Sequence, residues 1–484
     1  MPATGELLGE LRETAVVQGL RRLLEIPDWL RAVGDAERVR DALARRIPEF
    51  AGGELALAEC RVERWRLKRG EDGWIGLYDL TVDGPGDGQR RSVKLRGQLV
   101  PPGFAEPAGM SRGAFAAADW RCYIPELRLE LQPQPEDAAL PALPMLTDPE
   151  QSRELLEQSI AANPRYSDLR IRSCRPRVVR YKPGSRCTIV YHLEYAPEFA
   201  DRRWPDLVVA KTYHGDKGRN AYNAMLVLWG SPLAKSSAVS IAEPLAYLPE
   251  LRVLIQGPLR EERTLEKQIK ETFAAMSPEA LADLHTMMHK TAAGLVALHN
   301  CGVRYGVSLT WADELAELRE LIERLAIPVP QIADAAGPLL ERLMRIAAET
   351  PSDPLLPSHR AFRPAQVLIH QGRISFIDFD GFCLAEPALD LSRFLRKTRA
   401  LGLGRHGAHL EEEALRERLA QTDALCETFL NSYEALVPIS RQRVAVWEAL
   451  DLLTMVLFCW TKIEPDRVET NLLLLGRHLH GMGL

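Results

Sequence analysis

The sequence predicts an α+β protein with a strand-rich lobe and a helical lobe, preceded by an extra N-terminal helical and β-sheet domain. Strand-like runs dominate from about 55 to 132 and again further along the chain, whereas helical periodicity dominates from about 263 onward. An island at 359–382 interrupts the helices with a strand, a tight turn and a second strand. With 484 residues and 46% hydrophobic content, the chain can fill two or three globular domains.

These patterns divide the chain into four segments. The pattern at 1–50 predicts a helical N-terminal cap, because apolar residues recur at helical spacing and prolines divide this region into short helices. Residues 51–145 predict a β-rich accessory domain that ends in a proline-rich connector. Residues 146–262 predict the strand-rich lobe, and residues 263–484 predict the helical lobe.

The two β-rich regions share a weak internal echo. The shared pattern is a Cys-Arg step, three basic or glycine positions, a Tyr-x-Leu step and a lysine: Cys60, Arg61, Arg66, Lys68, Gly70, Tyr78, Leu80 and Lys94, then Cys174, Arg175, Arg180, Lys182, Gly184, Tyr191, Leu193 and Lys211. A chance match and a degenerate duplication both explain this echo. A duplicate would make the first sheet an interaction surface.

Composition excludes several classes of protein. The chain has 61 basic and 66 acidic residues, so it lacks the positive charge expected for binding nucleic acid. Its most apolar run, Leu452 to Trp460, spans nine residues without a charge, which is too short to cross a bilayer and predicts a buried helix. The N-terminus lacks the apolar core of a signal peptide, and the eight cysteines are scattered as expected for reduced thiols. These features predict a cytoplasmic protein that does not bind a membrane.

The island HRAFRPAQVLIHQGRISFIDFDGF carries the chemistry-bearing residues. A loop with a histidine and an amide precedes the hairpin, and an acidic loop follows it. This arrangement places the polar groups at one face of the hairpin, where they can meet phosphates.

The island resembles the catalytic segment of the aminoglycoside phosphotransferase and choline kinase family, which has a protein-kinase-like fold. The matching residues are His359, Pro364, Val367, Leu368, Ile377, Asp378, Phe379, Asp380, Asp390 and Leu391. Weaker similarity extends over about 166–400, but only 359–391 is specific. The resemblance implies a two-lobed kinase-like fold, ATP as the phosphate donor and Mg²⁺ as the metal.

The resemblance also assigns a role to individual positions. Lys211 matches the lysine that holds the nucleotide phosphates, and Asp378 and Gln366 match the two Mg²⁺ ligands, with Gln366 standing where the family usually has asparagine. Asp390 and His359 match residues that brace the catalytic loop. The turn expected to cover the phosphates contains Lys182, Gly184, Ser185 and Arg186.

Two departures from the family pattern affect the expected activity. Ala361 stands where the family places the aspartate that accepts the proton of the acceptor hydroxyl, and a methyl group cannot act as a base. Natural loss and a laboratory Asp-to-Ala change both explain this residue. The helix after Lys211 contains no acidic residue to pair with that lysine, so Asp216 or Glu243 is the expected substitute.

The leading hypothesis is an ATP-dependent phosphotransferase that acts on a small-molecule hydroxyl and is inactive or impaired because of Ala361. The alternative is a pseudokinase, a nucleotide-binding or scaffolding protein whose first 150 residues bind a protein partner. A third reading is a helical interaction protein with an accidental resemblance; it predicts no hairpin at 365–378. The acceptor and the oligomeric state are not encoded in any motif.

Overall fold

The computed structural model describes residues 15–67, 73–84, 90–107, 113–134 and 140–484. Several predictions lie outside the described residues: those for the first 14 residues, including the absence of a signal peptide, those for Lys68 and Gly70 of the echo, and the part of the connector at 135–139. The described residues group into two compact units. The first contains residues up to 134 with Leu315–Arg345 and Leu452–Leu484, and the second contains residues 140–314 with Ile346–Asp451.

The first unit combines short helices with an antiparallel five-stranded sheet. Its N-terminal helices are α1 (Ala15–Arg21), α2 (Asp28–Arg31), α3 (Ala36–Arg46) and α4 (Pro48–Ala51). Its strands are β1 (Ala56–Leu67), β2 (Trp74–Asp83), β3 (Arg90–Leu99), β4 (Cys122–Ile124) and β5 (Leu129–Pro133), in the order β1-β2-β3-β5-β4. The indole of Trp74 donates a hydrogen bond of 3.1 Å to the carbonyl oxygen of Trp460, which ties this sheet to the C-terminal residues of the same unit. Residues 315–345 and 452–484, which the sequence places in one helical lobe, thus group with the N-terminal residues.

The second unit begins with a strand-rich lobe. Two helices, α5 (Leu143–Thr147) and α6 (Pro149–Ala161), precede β6 (Ser173–Lys182), β7 (Arg186–Glu194) and β8 (Leu207–Tyr213). Helix α7 (Lys217–Trp229), β9 (Ser240–Ile241), β10 (Pro244–Leu248) and β11 (Val253–Gln256) follow. The main sheet is antiparallel in the order β10-β11-β8-β7-β6, so β8 is central and its Lys211 is backed by neighbours on both sides.

The register of the strands corrects one part of the echo. In each first hairpin the cysteine pairs with the leucine of the echo: Cys60 with Leu80, and Cys174 with Leu193. The lysines, however, do not occupy equivalent positions. Lys94 lies opposite Asp79, the residue after Tyr78, whereas Lys211 lies opposite Thr188, three residues before Tyr191. The matching of Lys94 with Lys211 is therefore wrong, and Lys94 instead forms an exposed ion pair of 3.1 Å with Glu63.

The rest of the second unit is mainly helical and contains the predicted hairpin. Its helices include α8 (Leu265–Ala275), α9 (Pro278–His299), α12 (Pro387–Leu403) and α13 (Glu412–Glu434). Helices α10 (Trp311–Ala326), α11 (Gln331–Glu349) and α14 (Arg441–Lys462) each contribute residues to both units, and α15 (Pro465–Gly481) ends the chain in the first. Short strands accompany them: β12 (Arg263–Thr264), β13 (Ser308–Leu309), β14 (Leu356–Ser358), β15 (Val367–His370), β16 (Arg373–Phe376) and β17 (Cys383–Ala385).

The hairpin of β15 and β16 forms as the sequence predicts. Gln371 and Gly372 connect the strands with φ angles of 49° and 66°, and a two-residue turn with two positive φ angles matches the twist of such a hairpin. Helix α9 packs on it at Gly294, where a Cβ atom would approach the Ile374 side chain to 2.9 Å. The missing side chain at 294 thus lets the helix lie directly against the hairpin.

The strand-rich lobe followed by a helical lobe with one embedded hairpin confirms the predicted two-lobed, kinase-like α+β fold. Helix α14 contains the run Leu452 to Trp460 but extends well beyond it, so the expectation that this region is too short was wrong: by length and composition alone the helix could cross a membrane. However, 72% of its most apolar window is buried within the fold, as is usual for the core helix of a globular protein.

Candidate active site

The loop before the hairpin is anchored by aromatic side chains. Phe362 is fully buried, and its ring lies 4.8 Å from Phe376 in β16 and 5.4 Å from Phe394 in α12, centroid to centroid. Phe394 in turn stacks on Phe429 of α13 at 4.2 Å. Because Phe362 is held in this close-packed cluster, the position of the neighbouring loop residues is fixed by its packing.

A buried carboxylate braces the same loop. Asp390, in the first turn of α12, accepts a hydrogen bond of 2.6 Å from the backbone N–H of His359 and one of 3.3 Å from Nε2 of His299. Nε2 of His359 donates to the carbonyl oxygen of Ile377 at 2.9 Å. His359 therefore ties the loop before the hairpin to the residue that follows the hairpin. Burial acts to raise the pKa of Asp390, but the hydrogen bond and charge of His299, with further help from His359, outweigh it and lower the pKa.

The acidic loop after the hairpin contacts the central strand of the strand-rich lobe. Nζ of Lys211 donates a hydrogen bond of 2.7 Å to Oδ1 of Asp378, and Lys211 is only 8% exposed. Burial alone would lower the pKa of Lys211 and raise that of Asp378. The attraction between the two charges outweighs burial in both cases, so the pKa of Lys211 is raised and that of Asp378 is lowered. Both groups are therefore charged at neutral pH.

Asp380 is a site residue to which sequence reasoning assigned no role. Its carboxylate accepts hydrogen bonds of 2.8 Å from the hydroxyl of Tyr213 and 3.1 Å from Arg186, and Nζ of Lys211 lies 3.7 Å away. Its backbone carbonyl accepts a bond of 3.4 Å from Asn220 of α7. Asp380 follows Asp378 by two residues in the same acidic loop, and this proximity was the signal from which a role for Asp380 in the site could have been predicted.

The predicted substitutes for the missing helix carboxylate do not pair with Lys211. The Asp216 side chain is 78% exposed and lies 3.8 Å from Arg219. Glu243 accepts hydrogen bonds of 3.0 Å from Arg165 and 2.8 Å from the hydroxyl of Tyr166. The expectation for Asp216 and Glu243 was wrong, because the carboxylates nearest to Lys211 come from the acidic loop instead.

The turn between β6 and β7 brings one of its predicted residues to the acidic loop. The N–H of Ser185 donates to the carbonyl oxygen of Lys182 at 3.0 Å, and Gly184 has a φ angle of 68°. Together these features define a tight hairpin turn. Arg186 begins β7 and extends toward the aspartates, 3.1 Å from Asp380. The phosphate-covering role of this turn stays a prediction.

Gln366 and Asp378 offer two side-chain oxygens that suit a hard cation. Gln366 is 2% exposed, and its side-chain oxygen has no hydrogen-bond partner among the described residues. Its backbone carbonyl accepts from the N–H of Ile377 at 3.1 Å, so it lies beside the acidic loop. One carboxylate and one amide oxygen suit Mg²⁺, which prefers oxygen ligands and retains several waters. No group of three or more His, Cys, Asp or Glu side chains suited to a metal occurs within the described ranges.

The position of the expected base is exposed and carries only a methyl group. Ala361 follows Arg360, whose φ angle is 65° and whose guanidinium lies 3.3 Å from Glu314. Two residues further on, the side chain of Arg363 is partly buried, and burial lowers its pKa. Sequence reasoning assigned no role to Arg363, although an arginine next to Pro364, in the loop that resembles the family's catalytic segment, was a usable signal.

Comparison with known proteins supports the sequence resemblance. Residues 232–430 match the model of the phosphotransferase enzyme family. The predicted family resemblance is confirmed for these residues. The matched residues include the hairpin, Asp378 and Asp390, whereas Lys211 and Arg186 lie before them. No curated protein sequence matches this chain closely enough to be called a relative.

Several solved structures are similar to this chain at low identity. A glucosamine kinase is 16% identical with a TM-score of 0.46, covering 93% of this chain and 98% of that one. A gentamicin complex of APH(2")-IIa is 14% identical with a TM-score of 0.41, covering 64% of this chain and 93% of that one. A choline/ethanolamine kinase family protein from Mesorhizobium loti is 14% identical with a TM-score of 0.39, covering 63% and 85%.

Proposed function

We propose that this chain is an ATP-dependent phosphotransferase of the aminoglycoside, choline or sugar kinase type, acting on a small-molecule hydroxyl and impaired by Ala361. The observation that carries this proposal is the 2.7 Å approach of Lys211 to Asp378. These two residues come from different lobes, and they are the cation and the carboxylate that phosphoryl transfer requires around a nucleotide. We place the protein in the cytoplasm.

In this proposal the residues around the acidic loop have separate tasks. Lys211 and Arg186 hold the nucleotide phosphates, whose negative charges both cations can approach. Asp378 and Gln366 hold Mg²⁺, and the metal when bound neutralises charge on the phosphates. Asp390 keeps the loop in place through the backbone of His359, which is 2.6 Å away.

Ala361 determines how much activity this site supports. Phosphoryl transfer depends mainly on positioning and on neutralisation of charge, so the residues that bind phosphates retain part of the catalytic effect. The missing base removes a further contribution, which is typically about 10² to 10⁴-fold in rate. Turnover should therefore be slow.

Restoring the base tests this proposal. The Ala361→Asp variant should release ADP from ATP about 10² to 10⁴ times faster than the parent chain when a suitable hydroxyl acceptor is present. Glucosamine, gentamicin and choline form the first panel of acceptors. The control is the double variant with Asp378→Asn, which keeps the new base but should lose the gain. No acceleration with any acceptor, despite Mg²⁺-ATP binding, would argue against a phosphotransferase.

The alternative function is a pseudokinase that binds nucleotide and acts as a scaffold through its N-terminal domain. The specific observation in its favour is the methyl group at Ala361. Thermal denaturation with ATP and Mg²⁺ separates the two functions: a rise in melting temperature without turnover in the Ala361→Asp variant supports the pseudokinase.

A further inference from the structure

Lys211 and Arg186 contact the two carboxylates of the acidic loop. Two further cations lie nearby, because Arg363 is attracted by Asp378 and is repelled by Arg180. Nζ of Lys211 lies 2.7 Å from Asp378 and 3.7 Å from Asp380. A guanidinium nitrogen of Arg186 lies 3.7 Å and 3.1 Å from the same two residues. These first two cations therefore share both carboxylates between them, and their charges balance.

The other two cations have no such compensation. Arg363 is attracted by Asp378 but repelled by Arg180 and Arg186, and its Nε is buried without a hydrogen-bond partner among the described residues. Neither Arg363 nor Arg180 forms an ion pair within the described parts of the chain. The next carboxylate, Glu266, also attracts Arg363 but forms its own ion pair of 2.6 Å with Lys270.

This arrangement leaves an excess of positive charge around Arg363, in the loop that also contains Gln366. A buried guanidinium nitrogen without a partner destabilises the protein unless an anion or another acceptor reaches it. Burial lowers the pKa of Arg363 from its ordinary value, which agrees with a charge that lacks compensation in the protein itself. An anion with several charges would satisfy both arginines, and planar guanidinium groups suit phosphate oxygens.

We propose that Arg363 and Arg180 allow this site to bind the triphosphate of a nucleotide without a metal ion. The two arginines supply the charge neutralisation that a divalent cation would otherwise supply, so Mg²⁺ is dispensable for binding. This inference rests on the proposed function, because it assumes that nucleotide phosphates bind beside Asp378. It adds that this chain binds the nucleotide even when no metal ion is present.

Isothermal titration calorimetry of the full chain with ATP, in excess Mg²⁺ and in excess EDTA, tests the inference. Removing the metal should weaken binding by less than about tenfold, a factor that corresponds to about 1.4 kcal/mol. In EDTA, Arg363→Gln should weaken binding by about tenfold further, which is the usual effect of losing one charged hydrogen bond, and Arg363→Lys should weaken it less. Arg180→Gln, at an exposed position that tolerates the change, should weaken binding about threefold.

The matched control is Arg177→Gln, which removes an exposed arginine from the same strand, β6, and should leave binding unchanged. Binding in Mg²⁺ that weakens more than tenfold in EDTA overturns the inference and leaves the proposed function standing. The inference is also overturned, and the proposed function left standing, if Arg363→Gln and Arg180→Gln both bind ATP in EDTA as tightly as the parent chain does. Absence of ATP binding even with Mg²⁺ contradicts the proposed function itself.

Discussion

Replacing Asp378 by asparagine should destabilise the second unit, because it removes the charge that compensates Lys211. The two side chains are 10% and 16% exposed, so water compensates the remaining ammonium poorly. At 2.7 Å and an effective dielectric constant of about 20, the direct attraction is about 6 kcal/mol. Asp380, 3.7 Å from Lys211, retains about 4 kcal/mol of attraction in the variant.

The expected loss is smaller than the direct attraction, because desolvation of both charges offsets part of it. Removing one partner of a buried ion pair typically costs about 3–5 kcal/mol, and the second carboxylate places this site near the lower limit. We therefore expect Asp378→Asn to lower the free energy of unfolding by about 3 kcal/mol. For a unit of this size that corresponds to a decrease in melting temperature of about 6 °C.

Thermal denaturation followed by tryptophan fluorescence measures this effect. The control is Asp216→Asn, the same chemical change at a side chain that is 78% exposed and 3.8 Å from its partner, which should shift the melting temperature by about 1 °C or less. If Asp378→Asn melts at or above the temperature of the parent chain, the ion pair with Lys211 is not a net stabilising contact and the electrostatic reasoning fails.

Three further predictions concern pH, a second ion pair and the thiols. The pKa of Asp378 is lowered in the folded chain, so its ionised form stabilises the fold above the unfolded pKa of about 4, and this stabilisation is lost as the pH falls below that value. The stability of Asp378→Asn, measured by acid titration, should therefore fall less steeply with pH than that of the parent chain. Arg443 and Glu386 form a buried pair with bonds of 2.6 Å and 2.7 Å, so Arg443→Gln should cost about 3–5 kcal/mol in urea denaturation, whereas Arg38→Gln in an exposed pair with Asp28 should cost less than about 1 kcal/mol. All eight cysteines are buried free thiols, so a thiol reagent should label the native chain much more slowly than the chain in denaturant; rapid native labelling would contradict the described packing.

The sequence predicted the features that depend on neighbouring residues. The hairpin of β15 and β16 follows from β-branched residues on either side of Gln371 and Gly372, whose conformations are decided locally. The position of Asp378 next to the hairpin follows from the same local pattern. Such features need only a few residues of context, which the sequence displays directly.

The partners of the site residues could not be predicted in the same way. Lys211 and Asp378 are 167 positions apart, and which carboxylate reaches the lysine depends on how two lobes pack. Periodicity likewise shows that the helices at 315–345 and 452–484 have apolar faces, but it does not show which unit those faces join. The register error for Lys94 arose because matching residue types along the chain does not fix which residues lie opposite each other in a sheet.

The backbone at Asp378 has a φ angle of 75°, a left-handed conformation that costs most residues about 1 kcal/mol or more. Asparagine and glycine adopt it more easily than alanine or leucine. Substitutions here consequently meet two opposing demands: a glycine or amide side chain suits the bend of the chain, whereas only a carboxylate compensates Lys211 and suits a positively charged ligand. A scan of all substitutions at this position should rank them differently for abundance in the cell than for nucleotide retention, and that disagreement would identify a residue kept for its chemistry rather than for its shape.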